Sequence, residues 1–89
     1  MPQNYISKNV LSAFAFKEPE KKNCSNDYYG DYEGLEDAKV ACKADKNCTA
    51  VYDIRCDNHN KFYLCSKNAS VLSSEISCLH EKFLVGRYF

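Results

Sequence analysis

Six cysteines in 89 residues are the strongest chemical signal in this chain: Cys24, Cys42, Cys48, Cys56, Cys65 and Cys78. Cysteines at that density either hold a metal or pair as disulfides. Structural zinc sites use tight Cys-x2–4-Cys pairs. Here the nearest spacing is Cys42-x5-Cys48, and the two histidines, His59 and His80, do not form a ligand pair. An even number of cysteines in a short chain fits full pairing. A domain this small buries only about 60–65% of the surface its unfolded chain exposes, so covalent staples supply what a thin core lacks. The expected setting is oxidising: secreted or extracellular, or the lumen of a granule or vesicle. No metal and no cofactor is expected.

Catalysis has little to stand on. A nucleophile needs a base and an orienting group within reach. His59 lies in a turn sequence and reads as solvated, and His80, two residues after Cys78, reads as packing or surface. Gly-x-Ser-x-Gly, the P-loop and His-Glu-x-x-His are all absent from the sequence. The chain therefore reads as a non-enzyme.

The polar stretch Asp27-Tyr28-Tyr29-Gly30-Asp31-Tyr32-Glu33 sets three tyrosines among three carboxylates. Tyrosine offers flat contact area and a hydroxyl at low entropic cost, suited to stacking on a sugar or gripping a basic partner. Candidate ligand-binding residues are Tyr28, Tyr29, Asp31, Tyr32 and Glu33, joined by His59 and Lys61 from the later turn. The alternative is an ordinary loop whose tyrosines partly cover the core. Ligands are too sparse here for a calcium loop.

Three tripeptides fit the N-glycosylation acceptor pattern: Asn23-Cys24-Ser25, Asn47-Cys48-Thr49 and Asn68-Ala69-Ser70. Asn68 is the best placed, in an expected loop without a neighbouring cysteine.

Twelve acidic and twelve basic residues give a formal net charge of zero, unlike the basic surface of a nucleic-acid binder. No apolar run reaches membrane-span length. The start, Met1-Pro2-Gln3-Asn4, lacks a signal peptide's pattern; a mature chain with an added initiator methionine, or a domain excised from a longer one, is expected.

Elements that must position these residues can be read from periodicity. Leu35, Ala38, Ala41 and Cys42 fall on one face of a 3.6-residue period, with Glu36 and Asp37 early and Lys43 and Lys46 late, the order that suits the helix dipole. This predicts a helix over Leu35–Ala44. Residues 49–55 and 61–65 are β-rich and flank Asp57-Asn58-His59-Asn60, predicting an antiparallel hairpin. Residues 10–16 read as a strand, 17–23 and 68–77 as loops, and 26–34 as an irregular loop with at most a short strand. Residues 78–89 read as one or two strands, with Gly86 at a bulge or bend. The apolar end, residues 83–89, is expected to pair with residues 10–16; unpaired, it would be a sticky edge.

The stretches Leu35-Glu36-Asp37-Ala38-Lys39-Val40-Ala41-Cys42, Cys48-Thr49-Ala50-Val51-Tyr52 and Phe62-Tyr63-Leu64-Cys65 resemble the PAN/Apple domain family. The likeness covers residues 24–82 of a single 1–89 domain, leaving 1–22 as an N-terminal extension. The family shows a helix carrying a cysteine, a second cysteine just beyond, and a Cys-x-aliphatic-x-Tyr-like strand. Many members place another cysteine four residues before the Cys42 position, where this chain has Ala38, so one partner cysteine must pair differently. The resemblance implies an α+β fold, a twisted antiparallel sheet with one α-helix packed on it. It also implies Cys24–Cys78 and Cys42–Cys48 bridges. A third bridge, Cys56–Cys65, would join facing positions of the hairpin, and the main rival map is Cys42–Cys65 with Cys48–Cys56. Loop-closure entropy does not choose, at roughly 2 to 2.5 kcal/mol for each short bridge and about 3.4 for Cys42–Cys65. Cys24–Cys78, closing the longest loop, would stabilise by about 4 kcal/mol.

PAN/Apple domains are binding modules for proteins and carbohydrates. The resemblance implies that class of function; together with the cysteine content the expectation is a secreted, monomeric recognition module using the loops around residues 28–33 and 57–61, with an extracellular protein or glycan as partner. Alternatives are a matrix or adhesive component self-associating through its terminal strands, and a small effector, toxin or signal, acting on a receptor.

Overall fold

The computed structural model describes residues 13–59 and 61–85. These form a small α+β domain with one helix, antiparallel sheets and three disulfides. Strands are β1 (Phe14–Phe16), β2 (Lys22–Asn23), β3 (Tyr28–Tyr32), β4 (Cys48–Asp53), β5 (Phe62–Ser66), β6 (Leu72–Ser73) and β7 (Cys78–Leu84), and the helix α1 is Leu35–Ala44. The main sheet runs β1-β7-β4-β5-β3, and β2 pairs with β6 in a two-stranded ribbon. The expected features of residues 1–12, 60 and 86–89, including the first half of the 10–16 strand and the Gly86 bend, lie outside the described residues.

Alternation along the central strands divides the core in two. Val51 of β4 and Phe62 and Leu64 of β5 join Ala38, Cys42 and Cys48 in one buried cluster, with Phe16, Tyr29, Tyr32 and Leu35 around it. Ala50 and Tyr52 of β4, Cys65 of β5 and Leu79 of β7 form the other with Cys24. The helix covers the first cluster. Ala38 and Cys42 are fully buried, and their small side chains let the helix axis approach the sheet closely. Gly34 caps the helix start in extended conformation without a side-chain cap, and Glu36 and Asp37 occupy the first turn.

Two bulges adjust the faces. Between Tyr29 and Tyr32, β3 spends three steps where β5 spends two. Gly30 supplies the left-handed backbone, at φ 81°, and a Cβ there would lie 2.8 Å from the Tyr32 ring. The extra residue turns both Tyr29 and Tyr32 toward the helix-side core. Residues 26–34, expected as mostly loop, therefore contain a full edge strand. Thr49 is the extra residue of the second bulge, between Cys48 and Ala50, and it lets Cys48 and Val51 both reach the helix-side cluster.

Two of the three expected bridges are corrected. Cys42 bonds Cys48, but Cys24 bonds Cys65 and Cys56 bonds Cys78, with Cα separations of 5.2, 5.9 and 4.9 Å. Cys56–Cys65 fails on register. Cys65 lies opposite Ala50, three residues or about 10 Å of strand before the turn that holds Cys56, beyond the roughly 7 Å Cα limit for a bridge. Cys24–Cys78 fails on strand order. Cys24 is bonded to Cys65 of β5, and β4 stands between β5 and β7, which Cys78 opens, a separation of about 10 Å between those two strands. The rival map, Cys42–Cys65 with Cys48–Cys56, is also absent.

Within the described residues the expected pairing of 10–16 with 83–89 is seen in part: Phe14 lies opposite Leu84, Ala15 opposite Phe83 and Phe16 opposite Lys82. Residues 17–23 and 68–77, expected as loops, contribute β2 and β6 through the pairs Lys22–Ser73 and Asn23–Leu72. Among the described residues, no helix is long and apolar enough to cross a membrane.

Candidate functional site

The turn joining β4 to β5 is built around a buried carboxylate. Asp53 ends β4 and is only 3% exposed. Its Oδ1 accepts the Cys56 N–H at 3.0 Å and its Oδ2 accepts the Asn58 N–H at 2.9 Å, while its carbonyl also accepts from Cys56 at 3.1 Å. Cys56 and Asn58 both sit in the left-handed region, at φ 56° and 62°. That conformation is unfavourable for a non-glycine residue, and here the two hydrogen bonds to Asp53 and the Cys56–Cys78 bridge hold it. Because Asp53 and Cys78 are paired across β4 and β7, the bridge ties the turn to the sheet beside its own organising carboxylate. Ser77 adds a further hook, its hydroxyl donating to the Ile54 carbonyl at 2.8 Å.

Within this frame lies a cleft of about 430 Å3, walled by Asp53, Ile54 and Tyr63 and rimmed by Arg55, Asp57, His59 and Lys61. Its carboxylates are engaged. Asp53 holds two amides, and Asp57 Oδ1 accepts the His59 N–H at 3.0 Å. Lys61 reaches back to β3, its Nζ 3.1 Å from Asp31 Oδ2. That contact, a hydrogen bond first and a charge attraction second, raises the Lys61 ammonium above its ordinary pKa. Both partners are more than half exposed, so the pair is worth little to stability and its Lys61 end stays available to a ligand. Arg55 and His59 are exposed and make no ion pair among the described residues.

Tyr63 continues the cleft wall onto the sheet face away from the helix. Its ring centroid lies 5.1 Å from that of Tyr28, which in turn packs edge-on to Tyr52 at 5.0 Å. The three tyrosines make a step-like aromatic surface across β4, β5 and β3, geometry that aromatic pairs favour. Tyr28 remains 37% exposed and Tyr52 is 6% exposed.

The tyrosine-rich stretch thus divides. Tyr28 and Asp31 face outward and adjoin the cleft, through Tyr63 and Lys61 respectively. Glu33 is exposed between β3 and the helix, and its charge reaches Lys61. Tyr29 and Tyr32 instead pack on the helix-side core. The Tyr29 hydroxyl donates to Asp45 Oδ2 at 2.5 Å, and burial, followed by that hydrogen bond, pushes its pKa up to about 12. Tyr29 and Tyr32 are removed from the candidate site because the Gly30 bulge points them inward. His59 and Lys61 line the cleft as expected residues of the turn. Asp53, Arg55 and Tyr63 were missed, read only as parts of strands; the signal was there in Asp53-Ile54-Arg55-Cys56-Asp57-Asn58, a strand-ending aspartate followed by turn formers.

His80 is buried on the helix side, opposite Val51. Burial, helped by the Lys39 charge, lowers its pKa against the pull of Asp53 and Glu18, which makes it a neutral packing residue. All six cysteines are paired, leaving no thiolate for a metal. Among the described residues no cluster of three or more His, Cys, Asp or Glu side chains could hold one.

Comparison with known proteins adds no relative: no family model matches the sequence, and neither a curated protein nor a solved structure does.

Proposed function

We propose that this chain is a secreted recognition module of the PAN/Apple kind, non-enzymatic, that takes an extracellular protein or carbohydrate ligand in the cleft at the β4–β5 turn. The architecture supports this reading: one helix on a twisted antiparallel sheet, with its last turn tied by Cys42–Cys48 to the strand that carries Ala50, Val51 and Tyr52. The Cys24–Cys65 bridge departs from the pattern the resemblance implied. Three disulfides in so small a domain are typical of extracellular proteins.

One observation carries the binding role. The buried Asp53 carboxylate is consumed in shaping the turn and Asp57 accepts one turn amide, while Arg55, His59 and Tyr63 line the cleft beside them. A pre-formed, polar-rimmed concavity with an aromatic wall is what a small ligand or a protruding side chain needs. A panel of defined glycans, and cross-linking capture from extracellular fluid, should give binding that Arg55→Ala and Tyr63→Ala each weaken about tenfold, the first by loss of roughly one charge-assisted hydrogen bond and the second by loss of an aromatic contact. Binding equal in wild type and both variants would overturn the assignment of the cleft.

A second reading rests on the opposite end of the sheet. Phe83, Leu84 and Val85 are 39%, 59% and 58% exposed beside the edge strand β1. Unpaired edges invite association. Sedimentation over a concentration series that shows a rising mass would favour a self-associating matrix component; a constant monomer mass would remove that reading.

A further inference from the structure

Three Asn-x-Ser/Thr tripeptides occur in the chain, and the fold treats them differently. Asn23 lies in β2, half-buried, and its Oδ1 already accepts the Ser25 N–H at 2.9 Å. The following Cys24 is fully buried in the bridge to Cys65, and Ser25 is held at φ 60°. Asn47 is half-buried at the helix end. Its N–H donates to Asp45 Oδ1 at 2.8 Å, and the next residue, Cys48, is 1% exposed. At both places the acceptor asparagine is half-buried and followed by a buried, bridged cysteine, a tighter setting for an oligosaccharide than open solvent.

Residues 68–70 are arranged in the opposite way. Asn68 and Ser70 are exposed while Ala69 between them is half-buried and packs on the second core cluster. The backbone is pinned by the Asn68 N–H donating to Ser66 Oγ at 3.2 Å and the Ala69 N–H donating to the Ser66 carbonyl at 3.0 Å. Anchoring the middle residue inward leaves the amide and the hydroxyl two positions on, the two groups an acceptor site uses, in solvent. β5 separates this turn from the cleft: Phe62 starts beside Lys61 and Ser66 ends beside Asn68, about 13 Å of strand.

The geometry points to Asn68 as the attachment site of an N-linked oligosaccharide, one per chain, at the pole opposite the ligand cleft. The co-reactant is a lipid-diphosphate-linked oligosaccharide, delivered by the transferase of the secretory route. Asn68 Nδ2 forms a bond to the anomeric carbon of the sugar, the bond from that carbon to the diphosphate oxygen breaks, and the lipid diphosphate leaves with the electron pair. The nitrogen gives up one proton to a base of the transferase. No oxidation or reduction is involved. Asn23 and Asn47 stay unmodified in the folded protein.

This inference shares with the proposed function its extracellular setting, and one experiment tests the two separately. The full chain is sent through the secretory route of eukaryotic cells behind a heterologous leader. Intact mass is read on secreted and retained material, before and after peptide N-glycosidase. Wild type and the Asn23→Gln/Asn47→Gln variant should each carry one discrete mass increment that the glycosidase removes. Asn68→Gln and Ser70→Ala should carry none. An increment persisting in Asn68→Gln, or a wild-type chain without one, overturns the site. A wild-type chain that carries the glycan yet keeps six reduced thiols would support Asn68 and count against the disulfide-stapled extracellular module.

Discussion

Two turns in this molecule use the same device and end with different exposures. At the helix end, Asp45 accepts the Asn47 N–H at 2.8 Å and the Tyr29 hydroxyl, and its carbonyl accepts the Cys48 N–H at 3.0 Å, beside the Cys42–Cys48 bridge. At the cleft, Asp53 accepts the Cys56 and Asn58 N–H groups beside the Cys56–Cys78 bridge. Each is an aspartate gathering turn amides next to a disulfide. The Asp45 turn is then closed over. Tyr29 covers it, and Lys82 reaches across from β7 to donate to the Cys42 and Asp45 carbonyls at 2.7 and 3.1 Å, its Nζ 4.8 Å from the Phe14 ring centre. Burial lowers the Lys82 pKa, opposed by the Asp45 charge. The Asp53 carboxylate is itself buried, but the residues that follow it, Arg55, Asp57 and His59, are exposed around a cleft. The difference teaches which of two similar constellations is structural. Where every polar group finds an internal partner the turn serves the fold, and where the organising groups are satisfied but the rim is free the turn can serve a ligand.

The largest expected effect that sharpens this contrast comes from the bridges. Loop-closure entropy assigns about 3.4 kcal/mol to Cys56–Cys78 and about 2.4 to Cys42–Cys48. Paired serine substitutions should therefore lower the melting temperature more at the cleft than at the helix end. Both should fall short of Cys24–Cys65, which spans 41 residues and is worth about 4 kcal/mol. Thermal melts of the three variants check the ranking; a helix-end loss exceeding the cleft loss would break it.

Next come the aspartates themselves. In Asp53→Asn one of the two part-buried turn amides faces an NH2 group and cannot reverse its own polarity, a cost of about 2 kcal/mol. In Asp45→Asn the Tyr29 hydroxyl can turn and accept from the new NH2, so about 1 kcal/mol is expected. Urea unfolding should show this order. Lys82→Met should cost a further small amount, about 1 kcal/mol, by removing the cation from the helix C-terminus, with ligand binding at the cleft unchanged in the same protein.

Smallest and most selective are the pH effects. The Tyr29 hydroxyl, ordinarily titrating at 10.0, is raised to about 12. Its contribution is fully present below pH 10 and is lost as pH rises from 10 toward 12, because the unfolded chain gives up that proton first. His80 is lowered from 6.5, so the unfolded chain takes up a proton first as pH falls through 6.5, and stability drops on that side. Denaturant midpoints measured across both ranges, with Tyr29→Phe flattening the alkaline limb and His80→Gln the acid one, check the assignment to the helix side of the sheet. An unchanged limb in either variant would contradict it.

Much of the frame was legible in the residues. The helix Leu35–Ala44 followed from its small buried face and its charge order, and the β4–β5 hairpin from two β-rich runs around a polar turn. Pairing of the chain ends followed from their apolar character. Of the disulfides only the short-range Cys42–Cys48 was legible; the two long-range bridges depend on strand order and register, which bulges at Thr49 and near Gly30 reset. The bulge near Gly30 also explains why the tyrosine stretch divides between two faces: Gly30 reads as a loop former in sequence, but in the fold it is the residue that sends Tyr29 and Tyr32 inward. Asp53 was hidden because a carboxylate at the end of a strand declares itself only through the amides that fold back onto it.

Amide hydrogen exchange at the cleft turn tests the central claim most directly, namely that Asp53 pre-forms the cleft before any ligand arrives. The Cys56 and Asn58 amides should exchange slowly, in step with the Val51 and Leu64 amides of the β4–β5 ladder, and Asn58 should speed up in Asp53→Asn while the ladder stays protected. Exchange of both turn amides at the rate of an unstructured peptide, in wild-type protein whose ladder is protected, would contradict it.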